Sequence, residues 1–210
     1  MVASTARGLA RGLAGGQARG GKTGNNGVMA LQFTASYLED SLSLFRFYKK
    51  MAEDAMAQVS DAELTATLDG EMNSIAAIAK HMAGNMRSRW TNFLSTDGEK
   101  ADRNRDSEFV DPPATRAELM KVWEDGWIAM WRALLPLRER DMGRTVTIRG
   151  EQHTVMQAIN RQLAHYPYHI GQMVMLAKHF RGAQWKSLSV PKGQSEEFNR
   201  KVATGENSQR

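Results

Sequence analysis

Residues 154–180, TVMQAINRQLAHYPYHIGQMVMLAKHF, decide how the rest of the chain is read. They carry the marks of one long helix. Thr154 is a good N-cap, and Gln157 three residues on completes a capping box. Ile159, Leu163, Tyr166, Ile170, Met173 and Val174 form an apolar arc at helical spacing. Beside that arc, Ala158, His165, His169, Gln172 and Leu176 fall within a sector of roughly 60°. His165 and His169 are four apart, so one turn sets their imidazoles on the same face. They lie at the edge of the buried arc, where an imidazole needs a partner. His-x-x-x-His on a helix is one way to offer two nitrogens to one metal ion. The structural alternative is a pair that satisfies each other or a backbone carbonyl. Pro167, between them, removes a backbone hydrogen bond and predicts a kink.

Just before this helix, residues 144–155 alternate differently. Val146 and Ile148 oppose Thr145, Thr147 and Arg149, and Arg149-Gly-Glu151 reads as a turn, so a two-stranded hairpin is expected. Just after it, WKSLSVPKGQSEEFN (185–199) contains Pro and Gly and reads as an extended tail on the helices.

Further out are three more long amphipathic patterns. Over 31–58, Phe33, Tyr37, Leu44, Phe45, Tyr48, Met51 and Ala55 recur at steps of three and four. Ser60 and Glu63 form a capping box for a short helix ending near Gly70. A second long helix is expected over 74–94, with Ile75, Ile78, Met82, Met86, Trp90 and Phe93 on its apolar side. Residues 95–113, STDGEKADRNRDSEFVDPP, are polar and lack periodicity, and form a long crossover. Thr115 and Glu118 then cap a third long helix, which carries Leu119, Trp123, Trp127, Met130 and Leu134 and ends near Pro136. The row Trp123, Trp127, Trp131 reads as core, and Gly126 as a point of close helix approach. The pattern predicts an all-α four-helix bundle whose crossover is long enough for helices two and three to run parallel. It divides the chain into an extension (1–28), the bundle (29–182) and a tail (183–210).

A chain of 210 residues with 41% apolar and 24% charged residues fits one globular domain. Cysteine is absent, which excludes disulfides, thiolate metal sites and a cysteine nucleophile. The net charge of +5 is a local effect: residues 1–28 hold four of the 28 basic residues and no acid, leaving 24 against 23 acids elsewhere. No basic face for nucleic acid is implied. Residues 1–28, rich in Gly, Ala and Arg, are expected to be disordered. No apolar run is long enough for a membrane span.

His81 is the only histidine of the second long helix. It lies near the middle, as His165 and His169 do in theirs, and mid-helix positions meet at one depth. Ala77, Gly84, Asn85 and Ser88 share its face and are small or polar, leaving room there. His81, His165 and His169 would form a three-imidazole site with open positions, the pattern of a catalytic metal site; the alternative is three unrelated buried histidines. His153 and His179 read as structural. Three neutral imidazoles suit a divalent zinc, nickel or iron ion, with copper also compatible.

His81, together with His165-Tyr-Pro-Tyr-His169-Ile-Gly-Gln172, resembles the DinB-like (YfiT-like) superfamily of metal-binding four-helix bundles. Residues 96–109, 145–172 and 185–199 are similar to one bacterial branch described only as a domain of unknown function. The resemblance covers about residues 30–199. It implies an up-down-down-up bundle, a divalent metal on His81, His165 and His169, and a homodimer. It also implies a thiol-dependent transferase using a low-molecular-weight thiol; the open metal positions are equally compatible with activated water, and so with a hydrolase. It supplies no catalytic base. The resulting expectation is a cytoplasmic metal-dependent protein acting on a small molecule, without nucleic acid or membrane partners. A non-catalytic metal- or ligand-binding bundle is the alternative. Asn85, Tyr168 and Gln172 are candidates for orienting substrate. Arg103 and Arg105 of the crossover, with Ser189, Pro191, Lys192 and Gly193 of the tail, are candidates for the rim of the pocket; local ion pairs among Arg103, Arg105, Asp106 and Glu108 are the other reading.

Overall fold

The computed structural model describes residues 36–208; the expected disordered extension 1–28 and Phe33 of the first pattern lie outside the described residues. Within them the chain is mostly helical, with six α-helices and one small hairpin. In order these are α1 (Tyr37–Met56), α2 (Asp61–Thr65), α3 (Ile75–Trp90), α4 (Arg116–Leu134), β1 (Thr145–Ile148), β2 (Glu151–Thr154), α5 (Val155–Arg181) and α6 (Ser195–Ala203). α3 packs against α4 and α5, and α1 packs against α5.

The helices begin where capping chemistry places them. Ser60 with Glu63, Thr115 with Glu118 and Thr154 with Gln157 each make both bonds of a capping box. Two ends fall earlier than expected. α2 stops at Thr65 because Ala66 is extended and the Asp69 carboxylate takes the Glu71 and Met72 amides into a turn. α3 stops at Trp90 because Thr91 is extended and Asn92 takes a left-handed φ of 50°. Pro167 lies inside α5, which nevertheless runs unbroken from Val155 to Arg181. The tail is not wholly extended. It contains α6, where Glu197 reaches Arg200 and Lys201 at three- and four-residue spacing, pairs that support a helix locally.

The core holds Phe45, Met56, Met82, Met86, Leu119, Trp123, Trp127, Met130 and Tyr166, all essentially inaccessible. Trp123, Trp127 and Trp131 do form a row, with successive ring centroids 5.5 and 5.7 Å apart; the first two are core and Trp131 is partly buried against it. Gly126 does permit close approach: a Cβ there would lie 2.7 Å from the Cα of Ala83. This contact brings α4 against the helix that carries His81.

The hairpin turns at Arg149 and Gly150, whose φ values of 55° and 77° are both left-handed, as a two-residue type I′ turn requires. Val146 and Ile148 are buried on one face. The crossover is tied to both neighbours. Asp97 accepts the Arg149 and Gly150 amides at 2.8 Å each, and Gly98 donates to the Thr147 carbonyl at 2.8 Å. Ser88 Oγ donates to the Gly98 carbonyl at 3.1 Å and accepts from the Lys100 amide at 2.9 Å. Lys80 Nζ donates to the carbonyls of Ser107 and Val110. The small, polar strip beside His81 was expected to leave room. It does so at Asn85, which lines a cavity, whereas Gly84 and Ser88 are the surface onto which the crossover docks.

Candidate metal centre

His81, His165 and His169 come together. One possible ligand nitrogen from each lies within 4.8 Å of the others, and the group could hold a metal ion. Ring centroids are 5.6 Å apart for His81 and His165, 4.9 Å for His81 and His169, and 4.7 Å for His165 and His169.

The α5 pair is positioned by helical spacing and by the rotation of α5 against α3. Fully buried Tyr166 sets that rotation. Its Oη accepts from Trp90 Nε1 at 2.9 Å and donates to Asn85 Oδ1 at 3.4 Å, both groups on α3. With Tyr166 held, its neighbour His165 faces His81. Asn85 thus has a structural bond and also lines the cavity beside the histidines.

Each imidazole is oriented through Nδ1. His81 Nδ1 meets Glu108 Oε2 at 2.8 Å, His165 Nδ1 meets Gln162 Oε1 at 3.2 Å, and His169 Nδ1 meets Gln172 Oε1 at 3.1 Å. Each partner presents an oxygen, which suits the tautomer with the proton on Nδ1 and turns Nε2 toward the cluster. His165 Nε2 and His169 Nε2 nevertheless stand 3.1 Å apart. With a proton on one of them the pair shares a hydrogen bond; with both protons on Nδ1 the two lone pairs face each other, and a cation between them removes the conflict. Metal–imidazole distances of about 2.0–2.1 Å put the nitrogens of a tetrahedral site roughly 3.3 Å apart, so the residues fit a divalent ion after small side-chain adjustments. Protons compete weakly for the α5 pair. Burial, then the charges of His169 and His81, push His165 down to about 3, and burial also lowers His169.

Glu108 lies on a single 3-10 turn, Asp106–Phe109, within the crossover. Its carboxylate receives the Arg103 guanidinium in two bonds, Nε to Oε1 at 2.8 Å and Nη2 to Oε2 at 2.9 Å. Arg103 in turn reaches Glu99 at 3.1 Å. The side chains of Arg103 and Glu108 are 5% and 8% exposed, so this is a buried network rather than solvated loop charge. A carboxylate behind a ligating imidazole fixes its tautomer and raises its basicity. Gly84 makes room for it: a Cβ there would lie 2.3 Å from Glu108 Oε1. The Phe109 ring stacks on His81 with centroids 4.5 Å apart.

Beside the histidines is a cavity of about 450 Å³, lined also by Arg89, Arg103, Arg105, Arg149, Arg161 and Tyr168. Arg103 and Arg105 thus reach the pocket as the rim expectation had it. Arg103 is buried in ion pairs, while Arg105 is half exposed and pairs only loosely with Asp106 at 3.9 Å. Ser189, Pro191, Lys192 and Gly193 are not among the lining residues, so the tail forms no part of that rim. His153 and His179 stand apart from the cluster, as expected. Sequence reading missed Glu108 and Arg89. Glu108 left no local signal. Arg89 did: it continues the row His81, Asn85, Arg89 at four-residue steps, and a charge on that face of a buried helix calls for a partner.

Residues 32–194 match a family described as "Protein of unknown function (DUF1572)". No curated protein and no solved structure matches the chain.

Proposed function

This chain belongs to the DUF1572 family, whose description names no activity, and from its site we propose that it is a metal-dependent enzyme built on a three-histidine centre. The observation that carries the reading is the arrangement of the three Nδ1 atoms. Each faces an oxygen, an arrangement that suits protons on Nδ1 and turns three Nε2 atoms toward one point. In this reading His81, His165 and His169 bind one divalent zinc, nickel or iron ion and leave positions open toward the cavity. Such an ion supplies Lewis acidity, activating water or a thiol and polarising a substrate oxygen. The chain's own groups do the rest. Glu108, Gln162 and Gln172 hold the imidazoles in one tautomer. Arg103 keeps Glu108 ionised. Tyr168, 64% exposed beside His169, is free to contact substrate.

The chemistry proposed is transfer to a low-molecular-weight thiol or hydrolysis of a small molecule, since the chain supplies no cysteine of its own. The three-histidine pattern also supports placing the family in the DinB-like superfamily, with α1, α3, α4 and α5 as an up-down-down-up bundle. A cytoplasmic homodimer completes the proposal. Ile128 on α4 and Leu135 at its C-cap, both exposed and seven apart, offer an apolar strip for a second copy. No helix among the described residues is long and apolar enough to cross a membrane. A non-catalytic metal- or ligand-binding bundle is the second reading, and Glu108 favours it to one extent. Both its oxygens are committed to His81 and Arg103, so it is not a ready general base.

The test is metal content by elemental analysis. Protein as purified should carry about one divalent ion per chain, and His165→Ala should lose most of it. Full occupancy in that variant rules the centre out. Metal-loaded protein is then given electrophiles with each common small thiol, or hydrolysable esters and amides. Turnover that disappears in His165→Ala supports the enzyme; tight binding without product supports the module. Light scattering at micromolar concentration should give twice the chain mass, and a monomer mass would remove the dimer.

A further inference from the structure

Among the described residues, Arg89 is a buried charge without an ion-pair or hydrogen-bond partner. It is 2% exposed, and neither Nε nor Nη1 has a hydrogen-bond partner. A guanidinium stays charged even there, and an unpaired buried charge is costly. One side of the group is closed by the crossover, because a Cβ on Gly98 would lie 2.7 Å from Nη1. Glu99, the acid whose charge it feels, is already engaged by Arg103 at 3.1 Å and by Arg149 at 3.3 Å. The remaining side faces the cavity beside the histidines.

That cavity is unusual in its charge. Arg89, Arg103, Arg105, Arg149 and Arg161 line it, and no Asp or Glu does. The pairs described above offset Arg103 and Arg149, and Arg105 has exposed Asp106 at 3.9 Å. Glu99 acts on Arg89 only from a distance and makes no ion pair with it, and among the described residues no acid pairs with Arg161, which lines the same cavity from α5. The buried guanidinium of Arg89 in a volume of about 450 Å³ calls for a small anion, not a polymer, and exposed Arg161 at the mouth adds a second positive charge that a dianion would match.

We propose that this cavity is an oxyanion subsite for a small dianionic molecule, with one carboxylate or phosphate group on the Arg89 guanidinium and Arg161 closing over it from the mouth. This deepens the metal-centre reading, and rests on it only for what happens at the ligand's other end, beside the three imidazoles. The anion end stands on Arg89 alone.

The experiment uses full-length protein, metal-loaded and chelator-stripped, titrated calorimetrically with succinate, citrate, inorganic phosphate and phenyl phosphate, with succinamide as the neutral control. At least one of the anions should bind and succinamide should not; preference for the carboxylates or the phosphates identifies the headgroup. Arg161→Gln, at an exposed position, should weaken binding roughly tenfold, the loss of one charged bond. Arg89→Met should weaken it further, and should raise the thermal midpoint of the ligand-free protein by removing the unpaired charge. If no anion binds below about 10 mM in either form, or if Arg161→Gln and every folded Arg89 variant bind like the parent, the subsite is overturned. Anion binding to protein that takes up no metal would leave the subsite standing and remove the metal centre. Metal uptake without anion binding would do the reverse.

Discussion

The two halves of the histidine cluster are assembled by different physics. On α5, His165 and His169 carry their own Nδ1 partners three residues away, in Gln162 and Gln172. Once the helix forms, that half is oriented. On α3, His81 depends on Glu108, 27 residues distant, delivered by an irregular crossover that must dock on Gly84 and Ser88. The first half is local and resists changes elsewhere. The second can be broken without touching a histidine.

Glu108→Gln breaks it most severely. The change leaves buried Arg103 without its bidentate carboxylate and His81 without a charged acceptor. Removing one partner from a buried ion pair costs about 3–5 kcal/mol, and losing the acceptor behind a ligating imidazole weakens metal binding roughly 10- to 100-fold. Denaturant melts and competition with a chromophoric chelator read the two effects. A full loss of stability with unchanged metal affinity would mean that the Phe109 ring alone orients His81. A pH effect follows. Burial pushes the Glu108 carboxyl up, but the bonds from His81 and Arg103 outweigh it and hold the group below its ordinary 4.5. A depressed carboxyl stabilises the fold above its unfolded pKa, and that contribution fades as pH falls below about 4.5 toward the folded value. The melting midpoint of the parent should drop through that window, and Glu108→Gln should show a shallower drop.

Gly84→Ala acts on the same contact more gently. In an open helix interior, Ala for Gly stabilises by about 0.8–1 kcal/mol. Here the new methyl would sit 2.3 Å from Oε1 and 2.7 Å from the carboxylate carbon. Glu108 must shift, and the shift reaches His81. We expect the helix-propensity gain to be cancelled and metal affinity to fall by about tenfold, with His165 and His169 unmoved in the spectrum of a cobalt-loaded protein. A stabilised variant with parental affinity would show that Glu108 can rearrange at no cost.

What was legible in the sequence follows the same division. Capping boxes at Ser60, Thr115 and Thr154, the turn at Arg149 and Gly150, and the His165–His169 pair involve residues at most four apart, so spacing alone reveals them. The shared depth of His81 was also legible, because mid-helix positions meet. Glu108 was not. Within DRNRDSEF it is one acid among several charges, and nothing local separates the buried pair Arg103–Glu108 from the exposed pair Arg105–Asp106. Gly84 read as empty space because the group that fills it comes from the crossover. α6 was missed because Pro191 and Gly193 precede it closely and suggest an extended tail, whereas the pairing of Glu197 with Arg200 and Lys201 supports a helix just beyond them.

The smallest expected effect tests whether the crossover docks as one unit or in separate pieces. Asp97 Oδ1 accepts the amides of Glu99 at 2.7 Å and Arg149 at 2.8 Å, and Oδ2 accepts that of Gly150 at 2.8 Å. These bonds hold its carboxyl below the ordinary range, so the clamp weakens as pH falls below about 3.8. Asp97→Asn keeps one acceptor oxygen but turns an amide donor toward the other site, opposing either Gly150 or the Arg149 and Glu99 pair. The hairpin turn should loosen, seen as lower hydrogen-exchange protection of the Arg149 and Gly150 amides at neutral pH. Glu108 lies further along the crossover, with separate anchors in Lys80, Arg103 and His81, so metal affinity should stay within about twofold of the parent. If affinity instead falls as far as in Glu108→Gln, the crossover and hairpin dock cooperatively. The distant half of the site would then extend to the turn at Gly150, and the contrast between a local and a long-range half would be sharper than the contacts of Glu108 alone imply.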